Sequence, residues 1–266
     1  MLWDDVASLD AACAGCELVI HAAGMNAQDC AADPAGALQF NGVATAMLAQ
    51  SAVRSGVRRM VYLSTAHVYS SPLVGRLDEQ SCPRNVHPYA SSHLAGEMAV
   101  LHAASRSAMD ATVVRLSNAC GAPVTAQANC WMLLFNDLCR EAVAHGRLTL
   151  RTDPRQQRDF ISMADAVRAI AWLAQLPAGQ GQGIVNVGAG RGCTLLDIAH
   201  LIATGAQRVL GYEPELHLPS VSGDKPAPLE YRIDRLLATG YVPRPSMDAE
   251  VDATLAFCRT HEAKTS

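Results

Sequence analysis

Three side chains carry proton-transfer chemistry: Thr65, just past the apolar run Arg59–Ser64, and then Tyr89 and His93. The i, i+4 spacing stacks Tyr89 and His93 on one helix face, about a turn apart. A tyrosine with an ordinary pKa near 10 is a poor base at neutral pH unless a nearby cation stabilises its phenolate. His93 is shorter than a lysine and mostly neutral at pH 7, so it supplies only part of such a charge. His67, between Thr65 and Tyr69, borders the same cleft. A hydroxyl at a strand end and a tyrosine opening a helix would together pass protons to and from a substrate oxygen.

Alternating strands and helices must position these groups. Glu17–Gly24 is an apolar run closed by glycine, the pattern of a buried parallel strand, and 59–64, 111–116 and 184–187 supply three more. Helices are expected at 34–55, between Pro34 and Gly56, and at 89–105, with Leu94, Met98, Leu101 and His102 on one stripe. Further helices are expected at 130–145, at 162–176 begun by Ser162, at 194–204 and at 246–260, with a Pro-rich stretch at 214–228. This order implies a parallel sheet with helices on both faces. Gly188-Ala189-Gly190-Arg191-Gly192 lacks G-x-G-x-x-G spacing and is read as an ordinary strand-to-helix turn.

A chain of 266 residues, 50% hydrophobic, can bury a sizeable core without staples. A net charge of -4 and 5% aromatic residues argue against nucleic-acid binding. Nine irregularly spaced cysteines read as reduced thiols, and Cys13-x-x-Cys16, where a helix ends before a strand, has no second pair to complete a zinc site. No metal is expected. His102, His145, His200, His217 and His261 lack partners at metal spacing. The acidic start and the lack of a long apolar run predict a soluble, cytoplasmic protein with no membrane partner.

Ordered blocks connect these pieces: His21–Gly24, Asn41–Thr45, Val57–Tyr69, Pro88–Glu97, Arg115–Gly121, Arg158–Asp165 and Asn186–Gly190. Together they resemble the extended short-chain dehydrogenase/reductases, the NAD-dependent epimerase/dehydratase family that includes UDP-sugar epimerases. The resemblance implies a Rossmann-like, doubly wound α/β fold. It also implies that the family's first segment, with its G-x-x-G-x-x-G turn, is absent, since Met1-Leu2-Trp3-Asp4 looks like the stretch after the third family strand. Residues 1–118 would form an incomplete dinucleotide-binding core whose sheet is completed by 184–187. Residues 119–266 would be mainly a smaller substrate-binding region.

By the same resemblance, Thr65 matches the family's catalytic Ser/Thr and Tyr89 its general base. His93 stands where the family has the ribose-binding lysine. Ala22, Ala23 and Gly24 match the turn that passes near the cofactor's adenosine half, and Asn118 and Arg158 match positions that hold a nucleotide-sugar diphosphate. His67 is added as a substrate contact. Two departures stand out. Ala66-His67 replace the Asp-Glu pair of sugar 4,6-dehydratases, and Val221 stands near a usual arginine. The expected function is NAD- or NADP-dependent oxidoreduction or epimerisation at a hydroxyl or keto carbon of a small molecule, a nucleotide sugar. The alternative is a non-catalytic family member that binds a ligand or partner. A third reading is that the recorded start is late and the family's first segment lies upstream. The strand at 17–22 would be an unpaired apolar edge, which predicts a homodimer.

Overall fold

The computed structural model describes residues 1–262. The chain opens with α1 (Val6–Cys13), which ends before β1 (Leu18–His21). Next come α2 (Ala27–Ala32), α3 (Pro34–Ala37), a π-helical stretch over Leu38–Ala44, and α4 (Thr45–Arg54). β2 (Arg59–Thr65) and β3 (Gly75–Leu77) lead to α5 (Pro88–Ser105). β4 (Asp110–Leu116), β5 (Asn118–Cys120), α6 (Leu134–His145), β6 (Arg147–Thr149), β7 (Gln157–Ser162) and α7 (Met163–Gln175) follow. The chain continues through β8 (Gly183–Val187), β9 (Gly192–Thr194), α8 (Leu195–Leu210), β10 (Glu215–His217) and β11 (Leu229–Tyr231). It closes with α9 (Asp234–Ala238) and α10 (Met247–Glu262).

The central sheet is parallel, in the order β1-β2-β4-β8. Side chains of β2 alternate between two cores. Met60 and Tyr62 pack with Leu48, Ala52, Val100 and Val113 on one face. Val61 packs with Val114, Val185, Ala169 and Leu173 on the other. Burial on both faces makes the inner strands almost continuously apolar, which is why they stand out in the sequence. β1 is an edge strand, with Leu18 and Ile20 exposed on its outer reach.

A third apolar cluster joins α6, α8 and α10 through Phe135, Leu138, Ile202 and Leu255. The connecting helices start where side chains satisfy their free backbone N–H groups. Asp5 caps α1, Ser162 caps α7, and Thr194 with Asp197 forms a capping box on α8.

Several expectations change. The helix expected at 34–55 runs unbroken over Pro34–Arg54, but its middle, Leu38–Ala44, is π-helical and turns Asn41 inward, where its amide donates to Ser92 Oγ at 3.0 Å. The buried stripe of α5 is Ala90, His93, Glu97 and Val100, whereas Met98 and His102 are exposed. His93 and Glu97 can lie inward because each has a buried polar partner. α6 begins at Leu134 rather than 130, and α8 runs on to Leu210. β5, β7 and β9 form a separate small sheet, and β6 with β10 and β3 with β11 form two-stranded pairs. These strands are short and polar, and their partners are remote in sequence, so periodicity does not reveal them.

Candidate active site

Thr65 ends β2 opposite Leu116 of β4 and so stands at the carboxyl edge of the sheet. Its hydroxyl accepts from the His67 backbone N–H at 3.1 Å, and the chain winds through one 3-10 turn, Ala66–Val68. That turn brings His67 beside the same cleft. Pro88 opens α5, and the His87 ring Nδ1 accepts from the Tyr89 N–H at 3.2 Å. The Tyr89 phenol and the Thr65 hydroxyl line the same cavity. Burial raises the Tyr89 pKa and the contact with Thr65 acts against that rise.

His93 lies edge-to-face on Tyr89, with ring centroids 4.6 Å apart. Its Nδ1 is 3.0 Å from the Tyr62 hydroxyl. Burial, with His21 as a second cause, pushes the His93 pKa down to about 4, so the imidazole is neutral at pH 7. Behind it, His21 stacks on Tyr62 at 5.3 Å and its Nε2 lies 2.8 Å from Thr45 Oγ1. Burial holds the His21 pKa near about 4 as well. Tyr62, His21 and Thr45 therefore fix His93, and none of them is singled out by spacing alone. The alternation of β2 could have flagged Tyr62, since it shares a face with Met60.

Ala22, Ala23 and Gly24 leave the end of β1 exposed. A methyl group on Gly24 would sit 3.2 Å from His93 Cε1, a tight contact, so the backbone here comes close against the imidazole. Asn41 holds this turn by accepting from the Met25 N–H at 2.8 Å.

Two turns beyond Tyr89, Glu97 is fully buried and paired with Arg115 at 2.6 Å. Arg115 Nε donates to the same carboxylate at 3.0 Å, and Ser64 Oγ donates to it at 2.5 Å. The guanidinium also lies 4.6 Å from the centre of the Tyr69 ring. This cluster ties α5 to β2 and β4 next to Thr65. The i+8 position of Glu97 relative to Tyr89 was the available signal for it.

A cavity of about 430 Å³ is lined by Thr65, His67, Tyr89, Asn118 and Arg158, among others. Five of the residues expected from sequence thus face one space. His93 stands behind Tyr89, with Gly24 against it. The Asn118 amide donates to the Asp159 carbonyl at 2.9 Å.

Arg158 does not form the ion pair that Asp159 or Asp165 could have offered. The Asp159 carboxylate accepts from Ser117 Oγ at 2.5 Å and from the N–H groups of Ala189 and Arg191. Asp165 is taken by Arg168 at 2.5 Å and by the Tyr241 hydroxyl at 2.6 Å. Burial lowers the Arg158 pKa. Since Asp159 holds its amides, the Gly188–Gly192 turn serves the fold and is closed to a pyrophosphate.

A parallel sheet covered by helices on both faces, with a hydroxyl pair at its carboxyl edge, is a Rossmann-like α/β fold. The chain belongs to the NAD dependent epimerase/dehydratase family, whose model matches residues 2–188. It is 31% identical over 147 residues to dTDP-D-glucose 4,6-dehydratase of Mus musculus, covering 54% of this chain and 39% of that protein. It is 27% identical over 246 residues to UDP-glucose 4-epimerase of Mycolicibacterium smegmatis, covering 91% of this chain and 76% of that protein. Among solved structures, UDP-glucuronic acid 4-epimerase from Bacillus cereus, in complex with NAD, superimposes with a TM-score of 0.80 at 18% identity. That match covers 97% of this chain and 79% of the other. Among the described residues no helix is long and apolar enough to cross a membrane.

Proposed function

We propose that the protein performs oxidoreduction or epimerisation at a hydroxyl or keto carbon of a nucleotide-linked sugar, with NAD or NADP as cofactor. The observation that carries this reading is the Thr65–Tyr89 hydroxyl pair facing the cavity that Arg158 lines. Family membership supports it, as do the nucleotide-sugar substrates in the names of the relatives. In this reading 1–118 with 184–187 forms the dinucleotide side and 119–266 mainly the substrate side.

The residues present fit a dinucleotide. Ala22, Ala23 and Gly24 are small and exposed and would flank its adenosine half, while Tyr89 and His93 stand at the nicotinamide end. His93 and Tyr89 would hold that end, where the bound dinucleotide supplies hydride transfer. Tyr89 rests protonated, because burial raises its pKa and the neutral His93 adds no positive charge. It is therefore poised to give its proton to an alkoxide as a keto carbon is reduced. In the reverse direction it takes the proton back from the substrate hydroxyl. Thr65 orients that oxygen, and Arg158 and Asn118 anchor the diphosphate.

Calorimetric titration with NAD and NADP, followed by turnover assays on UDP-glucose and related nucleotide sugars, tests this reading. Micromolar cofactor affinity with turnover is the expected result. Tyr89→Phe should then cut turnover by about 10²- to 10⁴-fold with the fold unchanged. Binding without turnover identifies a ligand-binding family member, and the absence of any binding overturns the reading. A homodimer belongs to the same proposal, because the edge of β1 exposes Leu18 and Ile20. A monomer by light scattering would remove it.

A further inference from the structure

The cavity wall holds two basic side chains and no acid to match them. No Asp or Glu is among its lining residues. Arg158 is half-buried on β7, and among the described residues its guanidinium has no hydrogen bond and no ion pair. The imidazole of His67, half-buried in the turn after β2, is also unpartnered. Only its backbone is engaged, by Thr65 Oγ1 and by the Asn85 amide at 2.8 Å. Both groups are half-buried on the cavity wall, so a basic pair without a carboxylate partner faces the space a ligand would fill.

We propose that His67 and Arg158 together hold one oxyanion of the substrate, and that His67 takes up a proton when that group binds. The inference rests on the nucleotide-sugar reading only for the identity of the substrate. The oxyanion is a phosphate of the diphosphate or a carboxylate on the sugar.

The electrostatics carry the second half of the proposal. In the free protein, burial first and then the charges of Arg158 and His87 depress the His67 pKa. The charged or titratable groups facing His67 are thus Arg158 from β7 and His87 from the start of α5, with the Tyr89 phenol lining the same cavity. The two basic groups favour a neutral imidazole. An oxyanion between His67 and Arg158 cancels the repulsion from the guanidinium and gives an imidazolium its hydrogen-bond acceptor. The His67 pKa then rises on binding. Between the free and bound values, affinity falls as pH increases, by up to about tenfold per pH unit. The other buried histidines do not confuse this signal. His21 and His93 titrate near about 4 and lie behind Tyr89.

Nuclear magnetic resonance of the full chain tests the proposal directly. The His67 ring signals are assigned by their loss in His67→Gln, a change that breaks no hydrogen bond in the fold. They are then titrated from about pH 4.5 to about pH 8 with and without sulfate, whose charge is fixed over that range. Sulfate is expected to raise the His67 pKa by about one pH unit, and Arg158→Leu to remove most of that rise. A control, His87→Asn, keeps an N-cap side chain on α5 and should keep the response.

The same titration with UDP-glucose and UDP-glucuronate separates the two sources of the oxyanion. A rise with UDP-glucose assigns the diphosphate; a rise only with UDP-glucuronate assigns the sugar carboxylate. If the nucleotide sugars bind and His67 responds to no anion, the inference falls while the proposed function stands. If sulfate moves His67 but no nucleotide sugar binds, the oxyanion subsite stands and the nucleotide-sugar reading falls. No response to any of the three ligands overturns the inference.

Discussion

Arg115 and Arg158 are two arginines near the same hydroxyl pair, and the protein treats them in opposite ways. Arg115 is met by Glu97 through two guanidinium nitrogens, with Ser64 on the same carboxylate and the Tyr69 ring beneath it. Its remaining Nη1 has no hydrogen-bond partner, and the ring face is what it has instead. Among the described residues the Arg158 guanidinium has no hydrogen-bond or ion-pair partner, though Asp159 is its neighbour in sequence. The histidines divide the same way. His21 and His93 are held by Thr45 and Tyr62, while among the described residues the His67 ring has no hydrogen-bond partner. A cation whose counter-ion is built into the chain serves the fold. One left without a counter-ion on a cavity wall is available to a ligand, which is what the proposed oxyanion site uses.

The largest effect that can break this contrast is acid unfolding. The folded His21 and His93 titrate near about 4, against 6.5 for an unperturbed histidine. The unfolded chain therefore binds these protons first. Their neutral forms leave stability intact above pH 6.5, and it falls as pH drops toward about 4. The slope is about 1.4 kcal/mol per pH unit for each histidine. Urea unfolding across that window measures it, and His93→Gln should flatten the slope by the share of one histidine. A flat profile in the unmodified chain would mean these imidazoles are not sealed.

Next in size is Arg115→Met. Removing one partner strands the Glu97 carboxylate and should cost about 3–5 kcal/mol by urea unfolding. Replacing both residues, as Glu97→Leu with Arg115→Met, should recover most of the loss. Arg158→Leu sharpens the contrast from the other side. It should change stability by no more than about 1 kcal/mol yet weaken UDP-glucose binding at least tenfold by calorimetry, about 1.4 kcal/mol. A loss of stability as large as that of Arg115→Met would erase the distinction. The smallest effect is expected of His67→Gln, within about 0.5 kcal/mol of the unmodified chain at neutral pH.

Much of the candidate site could be read from residue order, because its members sit at ends of regular elements. Thr65 closes a strand, and Tyr89 follows the proline that opens a helix. Arg158 was legible only as part of the block Arg158–Asp165, since the short β7 and its antiparallel partner β9 leave no periodic trace. Tyr62 was hidden for a different reason. It looks like any core aromatic, and what distinguishes it is a hydroxyl aimed at a residue thirty-one positions away. Of the stripe expected on α5, Leu94 and Leu101 pack against the cores while Met98 and His102 are exposed, and the stripe missed His93 and Glu97, which are buried by virtue of their partners.

By itself, then, the sequence determined the parallel α/β sheet and which hydroxyl, imidazole and guanidinium groups belong to one family-like arrangement. Those properties follow from local periodicity and from order along the chain. Only the tertiary structure decided their protonation and their partners. It made His93 neutral, gave Asp159 to the Gly188–Gly192 turn, and left His67 and Arg158 unmatched on the cavity wall. Charge state and satisfaction depend on burial and on contacts between remote residues, and these exist only once the chain has folded.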